Sequence, residues 1–150
     1  MKVLQIVGYK NTGKTTLMVE FLKDLKIRRK KVMVIKHHHL DFEHGKTDTA
    51  LFLEHVEEVV LNTPSMVYRY QNIEPSLSAQ IEQAKNEDYD YVLIEGYKNE
   101  KYEKVVLLKT LKHLDTNKEN EVLNLINVVA EFDLNTDFER AVHWFKDWSK

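Results

Sequence analysis

The sequence predicts an α/β fold: three layers, with a mostly parallel central sheet. Two observations predict it. Short apolar segments alternate with segments of helical periodicity along the chain, which is the pattern of strand–helix–strand units that build parallel sheets. The first apolar segment also runs directly into a glycine-framed loop and then an amphipathic helix, the order in which such sheets present phosphate-binding loops.

The elements follow in order. Residues 2–7 (Lys-Val-Leu-Gln-Ile-Val) form a strand, and 14–29 a helix with Leu17, Met18, Phe21, Leu22 and Leu25 on one face. Residues 32–36 are a second, nearly all-apolar strand of the kind buried on both faces. The run Arg28-Arg29-Lys30-Lys31 before it places cations at a helix C-terminus, where they complement the dipole. A polar segment spans 37–47. A short helix over 48–55 then precedes two short strands near 57–62 and 65–70, divided by Pro64. Pro75 opens a helix to about 87, with Leu77, Ile81 and Ala84 inward. Strands follow at 91–95, at 105–108 and within 122–130. Thr136-x-x-Glu139 has capping-box spacing, and Phe138, Ala141, Val142, Phe145 and Trp148 recur behind it at helical spacing as core.

Composition narrows the functional classes. A chain of 150 residues without a linker or repeat reads as one domain over 1–150, long enough to bury a substantial core. There is no cysteine, which excludes disulfides, thiolate zinc sites and iron–sulfur clusters. Lys+Arg total 22 against Asp+Glu 24, so no global charge points to nucleic acid. No apolar run approaches a membrane span, and Val3–Val7 is too short for a signal peptide. A cytoplasmic location is expected. Only four glycines occur, Gly8, Gly13, Gly45 and Gly96, which makes each one informative.

Gly8-Tyr9-Lys10-Asn11-Thr12-Gly13-Lys14-Thr15 fits G-x-x-x-x-G-K-[ST]. The backbone N–H groups of such a loop and the following helix N-terminus form an anion site. Gly8, Lys10, Asn11, Thr12, Gly13, Lys14, Thr15 and Thr16 are the candidate nucleotide-binding residues. Lys14 reaches the β/γ-phosphates and the Thr15 hydroxyl holds Mg²⁺. The fold expectation becomes a P-loop NTPase-like one.

A second strand, Tyr91-Val92-Leu93-Ile94-Glu95, ends in a carboxylate where phosphate-loop proteins carry the Mg²⁺-side acid. Glu95 is therefore the second metal candidate, with Gly96 beside it for close backbone approach to the γ-phosphate and Lys98 for an anionic ligand. Asp90, at the other end of the strand, is structural.

Lys36-His37-His38-His39 follows the second strand, with Asp41, Glu43 and His44 behind it. Ligands bind beyond the carboxyl ends of parallel strands, which sets this run beside the phosphate loop. Three readings stay open: transition-metal ligation, polar contact to a phosphate-bearing ligand or Mg²⁺-bound water, and a solvated loop. Asp48 or Thr47 caps the next helix, or Gly45–Thr49 forms a loop that responds to the γ-phosphate. Hydrolysis needs a positioned water and charge stabilisation. Lys14 supplies the charge, and Asp41 or Glu43 is the candidate for the water.

Three blocks together resemble the molybdopterin-guanine dinucleotide biosynthesis adapter (MobB) family. They are Gly-Tyr-Lys-Asn-Thr-Gly-Lys-Thr-Thr-Leu at 8–17, Lys-His-His-His-Leu-Asp-Phe-Glu at 36–43 leading to Gly45-Lys46 and Asp48-Thr49, and Ile-Glu-Gly-Tyr-Lys at 94–98. The resemblance implies a GTP-binding homodimer with Mg²⁺ and weak GTPase activity, so at most a slow enzyme. It would assist the molybdopterin guanylyltransferase that joins GMP to molybdopterin. It also implies a ligand cleft, with molybdopterin as a candidate occupant, lined by Lys36, His37, His39, Asp41 and Lys98, joined by Asp48 and Gly96. Leu40, Glu54-His55-Val56 and the absence of proline before Lys104-Val105 depart from the family pattern. GTP rests on the resemblance: Asn117-Lys118-Glu119-Asn120 is similar to the guanine motif N-K-x-D, but its last residue is an amide, which cannot accept two hydrogen bonds as a carboxylate does. Two other functions fit the phosphate loop. A small-molecule kinase would need lid arginines, and none of Arg28, Arg29, Arg69 and Arg140 lies in an obvious lid. A GTP-dependent metal chaperone would use the histidines but lacks cysteine.

Overall fold

Alternating apolar segments do pair into a parallel sheet, as the computed structural model shows for residues 1–38, 47–108 and 125–150. In chain order the elements are β1 (Lys2–Gly8), α1 (Lys14–Ile27), β2 (Val32–Lys36), α2 (Asp48–Leu53), β3 (Glu58–Asn62), β4 (Val67–Gln71), α3 (Leu77–Asn86), β5 (Tyr91–Glu95), β6 (Lys104–Leu107), β7 (Val128–Phe132) and α4 (Phe138–Trp148). They fall into two units, residues 1–38 with 81–150, and residues 39–80.

The first unit carries a five-stranded sheet ordered β2-β5-β1-β6-β7, parallel throughout. Its order puts β1 between β5 and β6, and the register sets Ile6 beside Glu95 and Lys36 beside Glu95. Parallel strands end at the same edge, so the loop after β1, Glu95 and Lys36 emerge together. Leu4, Ile6, Leu93, Val105 and Leu107 share one core with Leu17, Phe21 and Leu25 of α1 and Ala141 and Phe145 of α4. The rings of Phe21 and Phe145 stack with centroids 3.8 Å apart. Burying such an aromatic side chain stabilises by about 1.5–3 kcal/mol, so this pair fixes α1, whose first turn forms the site.

The helix and strand assignments hold, with four differences of detail. Pro75 does not open α3: the helix begins at Leu77, and the Ser76 hydroxyl before it accepts from the Ala79 N–H. β2 is an edge strand, bonded on one side only to β5, and Val34 is exposed, so an apolar run did not mean burial on both faces. The capping box does not form. Asp137, not Thr136, is the N-cap of α4. The Asp137 carboxylate accepts from the Asp133 N–H and pairs with Arg140, while the Thr136 hydroxyl donates to the Asp133 carbonyl. The last strand begins at Val128, and the stretch 109–124, which holds Asn117–Asn120, lies outside the described residues. The basic run does close α1: Arg28 is its C-cap and pairs with Asp24 at 2.6 Å. Lys30 reaches Asp90, and the Lys31 N–H donates to the Asp90 carboxylate. That backbone bond, aided by Lys30, holds the Asp90 carboxyl below its ordinary range, in keeping with a structural role.

The second unit consists of α2, the antiparallel hairpin β3–β4 and the start of α3. Thr47 caps α2, its hydroxyl accepting from the Ala50 N–H. The hairpin closes over Thr63-Pro64-Ser65-Met66, where the Thr63 N–H donates to the Met66 carbonyl. Glu58 pairs with Arg69 across the strands. Both strands leave large apolar side chains in solvent, Val60, Leu61, Val67 and Tyr68 among them.

Candidate functional site

Residues 8–15 wrap tightly between β1 and α1. β1 ends at Gly8, the chain wraps through Tyr9–Thr12, and Gly13 in a left-handed conformation precedes the first turn of α1 with no side-chain cap. The N-terminal amides of α1 have no capping side chain, which suits an anion. Gly8 is required by space: a Cβ there would lie 2.8 Å from the Leu107 carbonyl oxygen and 2.9 Å from the Thr12 hydroxyl. The Thr12 hydroxyl braces the loop by donating to the Tyr9 carbonyl at 2.9 Å.

Lys10, Asn11, Gly13, Lys14, Thr15, Thr16 and Glu95 line a concavity of about 440 Å³. Lys14 bends over the loop, with Nζ donating to the carbonyls of Gly8 at 3.2 Å and Tyr9 at 2.6 Å. Its burial lowers the pKa below the ordinary lysine value; Glu95 opposes this, and Lys98 and Lys36 add to it. Three lysines, Lys14, Lys36 and Lys98, thus gather around one carboxylate, an excess of positive charge that a polyphosphate would balance.

Thr15 and Glu95 meet as the sequence predicts. The hydroxyl lies 3.2 Å from one carboxylate oxygen and 3.5 Å from the other, and Lys36 Nζ is 3.7 Å from Glu95. A hydroxyl and a carboxylate side by side are hard oxygen donors. Mg²⁺ bound through one or two protein oxygens, with phosphate and water completing the shell, has this requirement, so the donor set fits that ion. Among the described residues no group of three or more His, Asp or Glu could hold a metal by itself.

The ligand-cleft candidates divide. The His37 N–H donates to the Glu95 carbonyl, and its ring stacks on Tyr97 with centroids 4.5 Å apart. Lys98 lies over the Tyr9 ring. The Gly96 N–H donates to the Ile6 carbonyl at 3.2 Å, so it extends the β-ladder rather than facing outward. Gly96 has φ +97, a left-handed conformation that favours glycine. Asp48 is the first residue of α2 in the other unit. His39 and Asp41, with Glu43, His44 and Gly45, lie outside the described residues. Among the described residues no arginine lines the concavity; Arg28 pairs with Asp24, Arg69 with Glu58 and Arg140 with Asp137.

Sequence reasoning missed Gln5 and Tyr97. Gln5 is wholly buried and donates to the carbonyls of Gly96 and Tyr97. The signal was present: an amide stands inside the apolar strand that feeds the phosphate loop.

Comparison with known proteins adds the family. A family model described as MobB, "Molybdopterin guanine dinucleotide synthesis protein B", matches residues 3–131. The chain is 31% identical to a protein of Methanocaldococcus jannaschii named a molybdopterin-guanine dinucleotide biosynthesis adapter protein, over 95% of this chain and 63% of that one. It is 32% identical to the adapter protein of that name from Haemophilus influenzae, over 70% of this chain and 62% of that one. The chain therefore spans a little under two thirds of the length of these curated relatives. Among solved structures, a MobB protein homologue from Bacillus stearothermophilus superposes with a TM-score of 0.73 at 22% identity, covering 99% of this chain and 98% of that one. Bacillus subtilis MobB gives 0.65 at 23% identity, covering 87% and 77%. These two likenesses show a shared fold. With the family model matching most of the chain, this protein belongs to the MobB family.

Proposed function

We propose that this chain is a GTP-binding adapter in molybdopterin guanine dinucleotide biosynthesis, assisting the guanylyltransferase that attaches GMP to molybdopterin. The observation that carries the nucleotide reading is the Thr15–Glu95 pair at 3.2 Å beside Lys14 in the phosphate loop. The adapter role comes from the family and from the names of the relatives.

In this reading the N-terminal amides of α1 and the Lys14 ammonium bind the β- and γ-phosphates. Lys14 must exchange its bonds to the Gly8 and Tyr9 carbonyls for phosphate oxygens. Thr15 and Glu95 would hold Mg²⁺, which supplies charge neutralisation of the phosphates when bound. Lys36 and Lys98 add positive charge at the mouth. The lack of an arginine in the concavity favours slow hydrolysis over kinase-like phosphoryl transfer, because fast transfer draws on such a charge.

A homodimer belongs to the same reading, supported by the family resemblance and by the apolar hairpin of the second unit. Val60 and Val67 on one face of the hairpin, and Leu61 and Tyr68 on the other, are each at least 40% exposed, and a second copy seated on the Val60–Val67 face would cover that pair. Light scattering tests it: the wild-type chain runs as a dimer and Val67→Glu shifts it toward monomer. A monomeric wild type overturns it.

The adapter role is tested by reconstitution. With GTP present throughout as the guanylyl donor and molybdopterin limiting, formation of the dinucleotide by purified guanylyltransferase rises when this chain is added. No rise, or an equal rise with Lys14→Ala, contradicts the role.

A further inference from the structure

Gln5 stands in the middle of β1 between Leu4 and Ile6, and none of it reaches solvent. A buried polar atom left unpaired costs about 1–3 kcal/mol, so an amide is a poor filler for that position unless it does something there. Its Nε2 donates twice, to the Gly96 carbonyl at 3.1 Å and to the Tyr97 carbonyl at 2.7 Å. Its Oε1 has no partner among the described residues. The orientation is fixed by chemistry: the facing atoms are both carbonyl oxygens, which only the NH₂ side can meet.

The two residues Gln5 holds are those directly after Glu95. Both are left-handed, Gly96 at φ +97 and Tyr97 at φ +53. Glycine adopts this conformation freely, but a tyrosine keeps it only where its surroundings over-determine it. Here the Ile6 carbonyl takes the Gly96 N–H, Gln5 takes both carbonyls, and His37 stacks on the Tyr97 ring. The rest of the loop is held in the same manner. Lys104, the register partner of Gln5 on β6 and equally buried, donates to the Glu100 carbonyl, and Asn127 Nδ2 donates to the Lys101 carbonyl. Side chains of the sheet and its approach thus take four main-chain carbonyls of the loop that follows Glu95. Gln5 takes the two nearest the carboxylate.

We propose that Gln5 is the positioning residue of the Thr15–Glu95 site: by locking the Gly96–Tyr97 turn it holds the Glu95 carboxylate at Thr15 and so sets how strongly Mg²⁺ reinforces nucleotide binding. Gln5 touches neither nucleotide nor metal in this account; it acts through Glu95. The proposal rests on the nucleotide and Mg²⁺ reading above.

The test is calorimetric titration of GTP into the full chain, once with excess EDTA and once with Mg²⁺. The wild type binds more tightly with Mg²⁺. Gln5→Met, of similar length but without donors, keeps its EDTA affinity within about twofold and loses at least tenfold of the Mg²⁺-dependent gain, while thermal unfolding shows an intact fold. In a Glu95→Gln background the same substitution changes affinity less than twofold, since residues acting through one group are not additive. A full wild-type gain in Gln5→Met overturns the proposal, and so does an equal loss with and without Mg²⁺, which is what a merely structural role produces. If Gln5→Met does not fold, Gln5→Leu, of similar volume and with no donor, must show the same selective loss. A wild type with no Mg²⁺-dependent gain refutes the metal reading itself and this proposal with it; a wild-type gain that Gln5 variants share refutes the proposal alone.

Discussion

Gly8→Ala is the substitution whose effect follows most directly from the coordinates. The added methyl would lie 2.8 Å from the Leu107 carbonyl oxygen, 2.9 Å from the Thr12 hydroxyl and 3.1 Å from the Leu107 Cβ. Leu107 cannot retreat easily: it is buried, and β6 is bonded on both sides, to β1 and to β7. Overpacking of this kind costs about 1–3 kcal/mol. Thr12 can rotate away, but it then loses its bond to the Tyr9 carbonyl, worth about 0.5–1.5 kcal/mol. Together these give a destabilisation of about 1.5–4.5 kcal/mol. In a chain of this size that is a fall in melting temperature of roughly 3–18 °C. The same displacement opens the loop around Lys14, so affinity for a triphosphate should fall with stability. Thermal unfolding followed by circular dichroism and a GTP titration measure the two effects. A variant with wild-type melting temperature and wild-type affinity would refute the reasoning, because it would mean that β6 or the loop has room that the structure does not give it.

Two further predictions concern the frame around the site. Phe145→Ala removes one partner of the Phe21 stack from a fully buried position and should destabilise by about 3–5 kcal/mol; urea unfolding showing under 1 kcal/mol would contradict the packing described. Asp90, whose carboxyl is held below its ordinary value of 3.8 chiefly by the Lys31 N–H, contributes stability that is present above that value and is lost as pH falls through the lower folded value. Asp90→Ala should therefore melt below the wild type at pH 7, with the difference closing in acid below pH 3.8; a difference independent of pH would contradict this.

Much of the site was legible because local rules decide it. The spacing of Leu17, Met18, Phe21 and Leu25 fixes which face of α1 is buried, and all four are buried. The strand–loop–helix order then places Lys14 and Thr15 without any knowledge of the sheet. Glu95 needed one more step, that parallel strands end at one edge, and that step held. What local rules do not contain is lateral order. Nothing in Val32–Lys36 says that it sits at the edge of β2-β5-β1-β6-β7, and so its full burial was wrongly expected. Thr136 and Asp137 are both good N-caps by type, and the choice between them fell to Arg140 and the Asp133 amide, which compete for the same carboxylate. Gln5 was legible only as an interruption. Its role depends on a turn 91 residues away in sequence, which the neighbouring strand brings alongside.

The central claim is that the concavity from Lys10 to Thr16, completed by Glu95, binds guanine nucleotide through its phosphates. Calorimetric titration of GTP in the presence of Mg²⁺ into the wild type and Lys14→Ala tests it most directly. The account predicts one GTP per chain, bound more tightly than ATP, and no measurable binding to a folded Lys14→Ala. Equal affinity in that variant, or no binding to the wild type, would contradict it.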